Sequence, residues 1–290
     1  MSRKVIFTRP TATAAISVTG EACGLNCAHC GAKYLKGMRP PDEVLAAFSD
    51  PSARSVLISG GSDAYGHVPI EGWPERISQD HPDLSINCHT GIIDEESAAK
   101  LKGKVDVISF DYVSDIRITD GIYASRSSPE DYVRSFILAS NAAPTIPHIT
   151  VGLLGPDSEP AFSIGALDEI RALADEGRIP EPPGIVVIVF RPTKGTRMEG
   201  ELPPGEDAAA DVIRHAKASF PASPVSLGCM RPAGRYRSKL DLLALKAGAD
   251  IIVMPAKDAV LFAQAEGYDV ISADECCVFP ALGKGVRHDG

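Results

Sequence analysis

Cys23, Cys27 and Cys30 lie in the run ISVTGEACGLNCAHCGAKYL, with three residues between the first pair and two between the second. Three thiolates on one short loop hold three irons of a cubane 4Fe-4S cluster and leave the fourth iron without a protein ligand, whereas four cysteines normally close such a cluster. The competing reading is a structural zinc loop. Zinc takes four ligands, its usual modules repeat a two-cysteine knuckle, and only His29 lies nearby as a fourth. Cys229 in SLGCMRPAGR and the adjacent Cys276 and Cys277 in ADECCVFPAL are three further thiols. A second iron-sulfur cluster can use all three only if the backbone at 276–277 turns sharply, because neighbours in an extended strand point to opposite faces. Three unrelated cysteines are the plainer alternative. Cys88 is in reserve, as a cluster ligand or as a small strand residue.

The segments that must position these thiols alternate along the chain. Short β-branched runs, each followed by a turn and a helical pattern, pair 14–20 with 41–50, 55–61 with 69–80, 84–91 with 94–103 and 105–113 with 128–142. The rhythm continues with 148–155 and 162–177, 184–192 and 205–220, 223–230 and 238–248, and 249–255 and 256–267. Eight βα units with near-continuous apolar strands predict a parallel sheet buried on both sides, and eight is the number at which such a sheet closes. The expected fold is therefore α/β, a TIM-type (βα)8 or near-complete barrel over 14–267. An N-terminal arm (1–13) precedes it, and a C-terminal tail (268–290) carries Cys276 and Cys277. An open doubly wound sheet is disfavoured because the cysteine loop, not a G-x-G-x-x-G turn, follows the first strand.

In such a barrel the chemistry gathers at the C-terminal ends of the strands. Cys23, Cys27 and Cys30 follow the first strand, and Gly60, Gly61, Ser62 and Asp63 the second. Cys88, His89 and Thr90 end the third, Asp111 and Asp115 the fourth, and Gly152 and Gly155 the fifth. Arg191 and Thr193 follow the sixth, behind Phe190, and Cys229 and Arg231 the seventh.

Composition narrows the class. The 290 residues carry a formal charge of −9, which argues against a general nucleic-acid or anionic-membrane surface. No apolar stretch reaches the roughly 20 residues a membrane helix needs, and MSRKVIFTRPTATAA has no apolar signal core, so a cytoplasmic location is expected. Seven cysteines in such a chain point to metal or redox chemistry rather than disulfides.

The cysteine loop resembles that of the radical SAM superfamily. The resemblance implies that S-adenosylmethionine (SAM) chelates the open iron and is cleaved to a 5'-deoxyadenosyl radical. LISGGSDAYG resembles the segment whose glycine carbonyls receive the methionyl ammonium, here Gly60 and Gly61, with Ser62 or Asp63 in place of the acid that often follows directly. HITVGLLGPDSEP, with Gly152, resembles the strand along the adenine. VIVFRPTKGTRMEG resembles the segment near the nucleoside, with the backbone about Phe190 facing the adenine edge and Arg197 where proline is frequent. Asp111 is then the acid for the ribose hydroxyls, against the reading of an exposed turn residue.

The stretch from LGCMRPAGR through LALKAGADIIVMP to ECC, together with ISGGSD, HTG and TIPHITVGL, resembles the biotin-synthase-like branch, in particular the second component of two-component lipoyl synthase. That resemblance spans nearly the full chain. It implies sulfur insertion into an octanoyl chain on a carrier-protein lysine, with an auxiliary cluster on Cys229, Cys276 and Cys277 as sulfur donor. Arg231 or Arg235 would stand near as a non-cysteine ligand or, more simply, as an ion-pair or substrate-carboxylate contact. The implied partners are the second radical SAM component, the octanoylated lipoyl carrier protein and a low-potential electron donor. The run RPAGRYRSK, with Arg231, Arg235, Arg237 and Lys239, is the candidate carrier-docking face. The alternatives are a biotin-synthase-like radical enzyme of other substrate without a donor cluster, and an iron-sulfur scaffold that never cleaves SAM.

Overall fold

The computed structural model describes residues 3–40, 43 and 52–287. The strands in chain order are β1 (Lys4–Thr8), β2 (Thr13–Ser17), β3 (Ser55–Ser59), β4 (Ser85–His89), β5 (Val107–Asp111), β6 (Thr145–Val151), β7 (Ile185–Val189), β8 (Val225–Leu227), β9 (Ile251–Val253), β10 (Asp269–Ala273) and β11 (Val286–Arg287). All eight strands expected from the apolar rhythm are present, as β2 to β9. The helix expected over 41–50 lies, Glu43 apart, outside the described residues.

The chain divides into two compact units, one built from the described residues of 11–146 and 193–199, the other from those of 1–10, 147–192 and 200–290. In the first, β2, β3, β4 and β5 lie side by side and parallel, with Ala15 opposite Leu57, Ile58 opposite Cys88, and Cys88 opposite Ile108. Its helices are α1 (Trp73–Asp80), α2 (Glu95–Leu101), α3 (Ile116–Thr119) and α4 (Pro129–Ala142). Two of them, α2 and α4, begin where local side chains satisfy the free N–H groups of a first turn. Asp94 accepts from Ser97 N ahead of α2, and Ser128 and Asp131 form a reciprocal capping box with Pro129 at the start of α4.

In the second unit the strand order is β11-β10-β1-β9-β8-β7-β6, parallel except for the short β10–β11 pair. Its helices are α5 (Ala161–Asp175), α6 (Glu206–Ser219), α7 (Arg235–Ala247), α8 (Lys257–Ala265) and α9 (Val278–Ala281). β7, IVVIV, is buried at every position, as a parallel strand covered on both faces must be. Three strands here were not expected, β1, β10 and the short β11 that pairs with β10. Residues 4–8, read as part of an arm, pair with both β9 and β10, and residues 269–273, read as part of a tail, pair with β1. Cys276 and Cys277 therefore follow a sheet strand, as Cys229 follows β8. Among the described residues no helix is long and apolar enough to cross a membrane.

Candidate metal and cofactor sites

The cysteine loop leaves β2 and is stapled from several directions within its own unit. Ala28 N donates to Ile122 O at 2.7 Å, Met198 N donates to Ala28 O at 3.1 Å, and Cys30 N and Gly31 N both donate to Cys27 O. The TKGTRME segment (193–199), expected near the nucleoside, closes on this loop, with Tyr34 and Thr193 hydroxyls 2.8 Å apart and Arg197 Nη2 3.2 Å from Asn26 O. The ligand atoms of Cys27, His29 and Cys30 all lie within 4.8 Å of one another, and the charge of Cys23 reaches Cys27. A hydrogen bond with Cys27 leads the causes that bring the Cys30 thiol down to about 7, and the same bond with burial drives Cys27 far up. The pair thus shares a proton, leaving Cys30 the readier thiolate.

Behind the thiols lies a layer of rings. His29 packs on Tyr123 at 5.5 Å between centroids, and Tyr123 on Tyr132 at 6.1 Å. Burial pulls the His29 imidazole down to about 4, so it is neutral, and its Nδ1 is buried with no hydrogen-bond partner. Asp111 ends β5 exposed, and its charge acts on His29, Cys30, Tyr123 and Tyr132, which puts an unburied carboxylate near the loop.

The glycine turn after β3 backs directly onto the cysteine loop. Gly61 N donates to Thr19 Oγ1 at 2.7 Å, Thr19 Oγ1 donates to Ala22 O at 2.9 Å, and Gly24 N donates to Ser62 O at 2.5 Å. A Cβ on Gly61 would stand 1.9 Å from Ala22 O and 2.6 Å from Cys23 Cα, so only glycine fits. At Gly60 the nearest atom to such a Cβ is the Thr19 hydroxyl, at 3.1 Å. Asp63 is committed to the turn, its Oδ1 accepting from Tyr65 N and His67 N at 2.8 and 3.1 Å.

His67 closes the same turn with Nε2 2.7 Å from Glu71 Oε1. The Glu71 hydrogen bond raises His67, and that bond lowers Glu71 against the opposing effect of burial. The raised imidazole contributes stability fully below about pH 6.5 and loses it as pH rises through its folded value. The lowered carboxylate contributes above about pH 4.3 and loses it as pH falls through its folded value. Thermal unfolding between about pH 5 and pH 8 should therefore show a decline worth about 0.5 kcal/mol toward the alkaline side, flattened in His67→Gln.

The remaining expected positions are distributed as follows. Cys88 is fully buried in β4, and desolvation raises its thiol, as in a small core residue. Asp115 caps α3 and pairs with Arg117 at 2.7 Å. Gly152 has φ +94°, its N–H donates to Glu159 Oε1 at 2.7 Å, and the Pro204 ring fills the space its Cβ would take. Phe190 is 2% exposed and its N–H donates to Val151 O, so that donor is spent within the sheet.

In the second unit Cys229, Cys276 and Cys277 come together. The sulfurs of Cys276 and Cys277 are 4.0 Å apart because Cys277 adopts helical φ and ψ at the start of α9, the sharp turn that adjacent ligands need. Cys229 is exposed, and its thiol is raised by the protein packed about it and by the charge of Cys276, while Cys229 in turn acts on Cys277. These three sulfurs do not all fall within 4.8 Å of one another; among the described residues only Cys27, His29 and Cys30 do.

Arg231 is no ligand for this set. It is 0% exposed, and its Nε and Nη2 meet Asp241 at 2.8 and 3.0 Å while its other bonds go to Gly228 O at 2.6 Å and Val253 O at 2.9 Å. A guanidinium with no exposed surface, paired to a carboxylate and bonded to two carbonyls, is a structural tie rather than a ligand. Asp241 also accepts from Ala256 N at 2.8 Å, so one buried pair ties the Cys229 loop, α7 and the loop after β9. Arg237 Nη2 reaches Cys229 O only at 3.5 Å, and Lys239 is paired with Glu206 and Asp207. Of the basic run, Arg231 and Lys239 are thus paired with acids.

No protein-family model and no curated protein matches the chain. Among solved structures, methylornithine synthase (PylB) aligns at a TM-score of 0.60 and 18% identity over 86% of this chain and 72% of that one. HydG, a maturase of the [FeFe]-hydrogenase, aligns at 0.65 and 14% over 97% of this chain and 66% of its own. HydG from Carboxydothermus hydrogenoformans aligns at 0.62 and 13%, over 87% and 58%. The chain spans less than two-thirds of either HydG chain. The likeness shows the fold, a TIM-like α/β sheet with parallel strands.

Proposed function

We propose that the chain is a radical SAM enzyme that inserts sulfur into an octanoyl chain on a carrier-protein lysine, as a lipoyl synthase component. The observation that carries the superfamily reading is the three-thiol loop after β2, locked by close approach to the glycine turn after β3. PylB and HydG, which share the fold, are radical SAM enzymes.

The donor set fits a sulfur-rich metal group: soft thiolates select iron-sulfur clusters or zinc, and the hydrogen bond with Cys27 lowers the Cys30 thiol. Cys23, Cys27 and Cys30 would hold a 4Fe-4S cluster, and Cys229, Cys276 and Cys277 an auxiliary one. Bound there, the first would supply the electron that cleaves SAM to a 5'-deoxyadenosyl radical, and the second a sulfide for insertion. The chain's own residues do the rest. The Gly60–Gly61 backbone gives the methionyl end an approach free of side chains, Asp111 offers acceptors for ribose hydroxyls, and the ring layer of His29, Tyr123 and Tyr132 keeps water from the inner side of the loop. The octanoylated carrier, a second radical SAM component and a low-potential reductant are the proposed partners.

A second reading is a radical enzyme of this kind without a donor cluster. In it Cys229, Cys276 and Cys277 are unrelated thiols, and the burial of Cys277 is that of an ordinary core residue. Iron and sulfide content with electron paramagnetic resonance on the anaerobically reconstituted Cys23→Ala/Cys27→Ala/Cys30→Ala variant separates the two. The sulfur-insertion reading expects a residual cluster signal that disappears when Cys229, Cys276 and Cys277 are also replaced. No residual iron removes the sulfur source and leaves the second reading. Zinc in place of iron in the unaltered protein would sink both.

A further inference from the structure

A cation drawn partly out of water needs a counter-charge, and a buried polar atom needs a partner; an arginine that lacks both marks a place where an anion completes the site. Two cations beside the second thiol set have their acids. Arg231 meets Asp241 at 2.8 Å, and Lys239 meets Glu206 and Asp207 at 3.1 and 3.3 Å. Arg237, half-buried between them in the sequence, pairs with no acid among the described residues, and the first turn of α7 that carries it holds none. The bonds it makes are long, from Nη2 to Cys229 O at 3.5 Å and to Arg231 O at 3.4 Å, and its Nε is buried with no partner at all. Burial, then the charge of Arg231, pulls its guanidinium down, while Asp241 and Cys229 act the other way. Asp241 is already spent on Arg231 through two bonds. The negative charge left to Arg237 is that of Cys229 as a thiolate, and Cys229 in turn feels the charges of Arg231 and Arg237.

We infer that Arg237 is the charge partner of the second thiol set, the fixed cation against which Cys229, Cys276 and Cys277 hold an iron-sulfur group. The inference rests on the sulfur-insertion reading and deepens it. Cysteines bind metal as thiolates, so loading the set creates the anion that Arg237 lacks. A fixed positive charge beside such a group stabilises its reduced form, which carries one more electron, and therefore sets how readily the group is reduced. In that reduction one electron enters from the low-potential reductant, and Arg237 gives up no proton and forms no bond to iron. The guanidinium acts through its charge alone.

The test uses the full chain with Cys23, Cys27 and Cys30 replaced by alanine, reconstituted anaerobically, so that the second set alone holds iron. Its one-electron reduction is followed by paramagnetic resonance at a series of set potentials. Arg237→Met should keep its iron and shift the reduction equilibrium about tenfold toward the oxidised group, a fall in midpoint potential of about 59 mV. Arg237→Lys keeps the charge without the planar fork and should restore most of that shift. Arg237→Gln serves if the methionine variant fails to load, and failure of both neutral variants beside a loaded Arg237→Lys is the same dependence on charge. An unchanged potential in a loaded neutral variant overturns the inference and leaves the sulfur-insertion reading standing, with Arg237 a tie between two carbonyls. So does a full shift in Arg237→Lys, or loss of loading in all three variants. A parent that holds no iron-sulfur group on the second set overturns both.

Discussion

Replacing Asp241 with alanine should destabilise the protein by about 3–5 kcal/mol, because it strands the Arg231 guanidinium, 0% exposed, without its counter-charge. At about 2–4 °C per kcal/mol for chains approaching this size, the midpoint of thermal unfolding should drop by about 6–20 °C. The same change releases Ala256 N and loosens the loop that carries Cys229, since Arg231 holds Gly228 O and Val253 O only while Asp241 orients it. On the proposed reading, iron held by Cys229, Cys276 and Cys277 should therefore be lost at temperatures where the proposed loop cluster of the other unit is retained. Replacing the pair together, Arg231→Met with Asp241→Leu, should recover much of the stability, because a well-packed apolar pair removes two desolvated charges at once. If Asp241→Ala unfolds at the parent temperature, the buried pair is not the tie that the geometry indicates.

Gly61→Ala is the second large effect. Its methyl would sit 1.9 Å from Ala22 O, so the Ala22–Cys23 backbone has to move, and Cys23 with it. Overpacking of this kind costs about 1–3 kcal/mol, here delivered to a proposed cluster ligand. The loop cluster should fail to assemble while iron on the second cysteine set is unchanged. Gly60→Ala is the internal control. Its closest neighbour is the Thr19 hydroxyl, a rotatable side-chain atom at 3.1 Å, and cluster content should stay within about twofold of the parent. Equal iron loss in the two variants would refute the argument from close approach.

How far this was legible in the sequence depended on whether the signal was local. β7 reads as a strand because a parallel strand covered on both faces is a continuous apolar run, and the other internal strands follow suit. β10, DVISA, has an exposed Asp269 and Ser272 and no long helix after it, so nothing in its neighbourhood marks it as part of the sheet. β1 is a short apolar run followed by polar residues, and its partners lie over 240 positions away. At the sites, the spacing of Cys23, Cys27 and Cys30 announces a metal loop, and Gly60 and Gly61 announce a close approach. The role of Asp241 is invisible by contrast, because an aspartate on a leucine-rich helix reads as solvated until the fold buries it against Arg231. The orphaned His29 Nδ1 is likewise a property of three-dimensional packing, not of residue type.

The place of β1 between β9 and β10 has a consequence on the ribosome. Ile6 is registered with Ile251 on one side and Ile271 on the other, so neither partner exists until almost the whole chain has been made. At about 5–20 residues per second, the apolar segment KVIFT waits roughly 10–50 s for its first neighbour. Through that interval it is an unpaired strand with both edges open, the kind of segment on which nascent chains stick to one another and which chaperones cover. Residues 52–146, which carry β3, β4 and β5, need no such wait, since their strands pair with near neighbours as they emerge. The late closing pair, β1 with β9, is thus the expected point of failure when synthesis is slow or many nascent chains are crowded together.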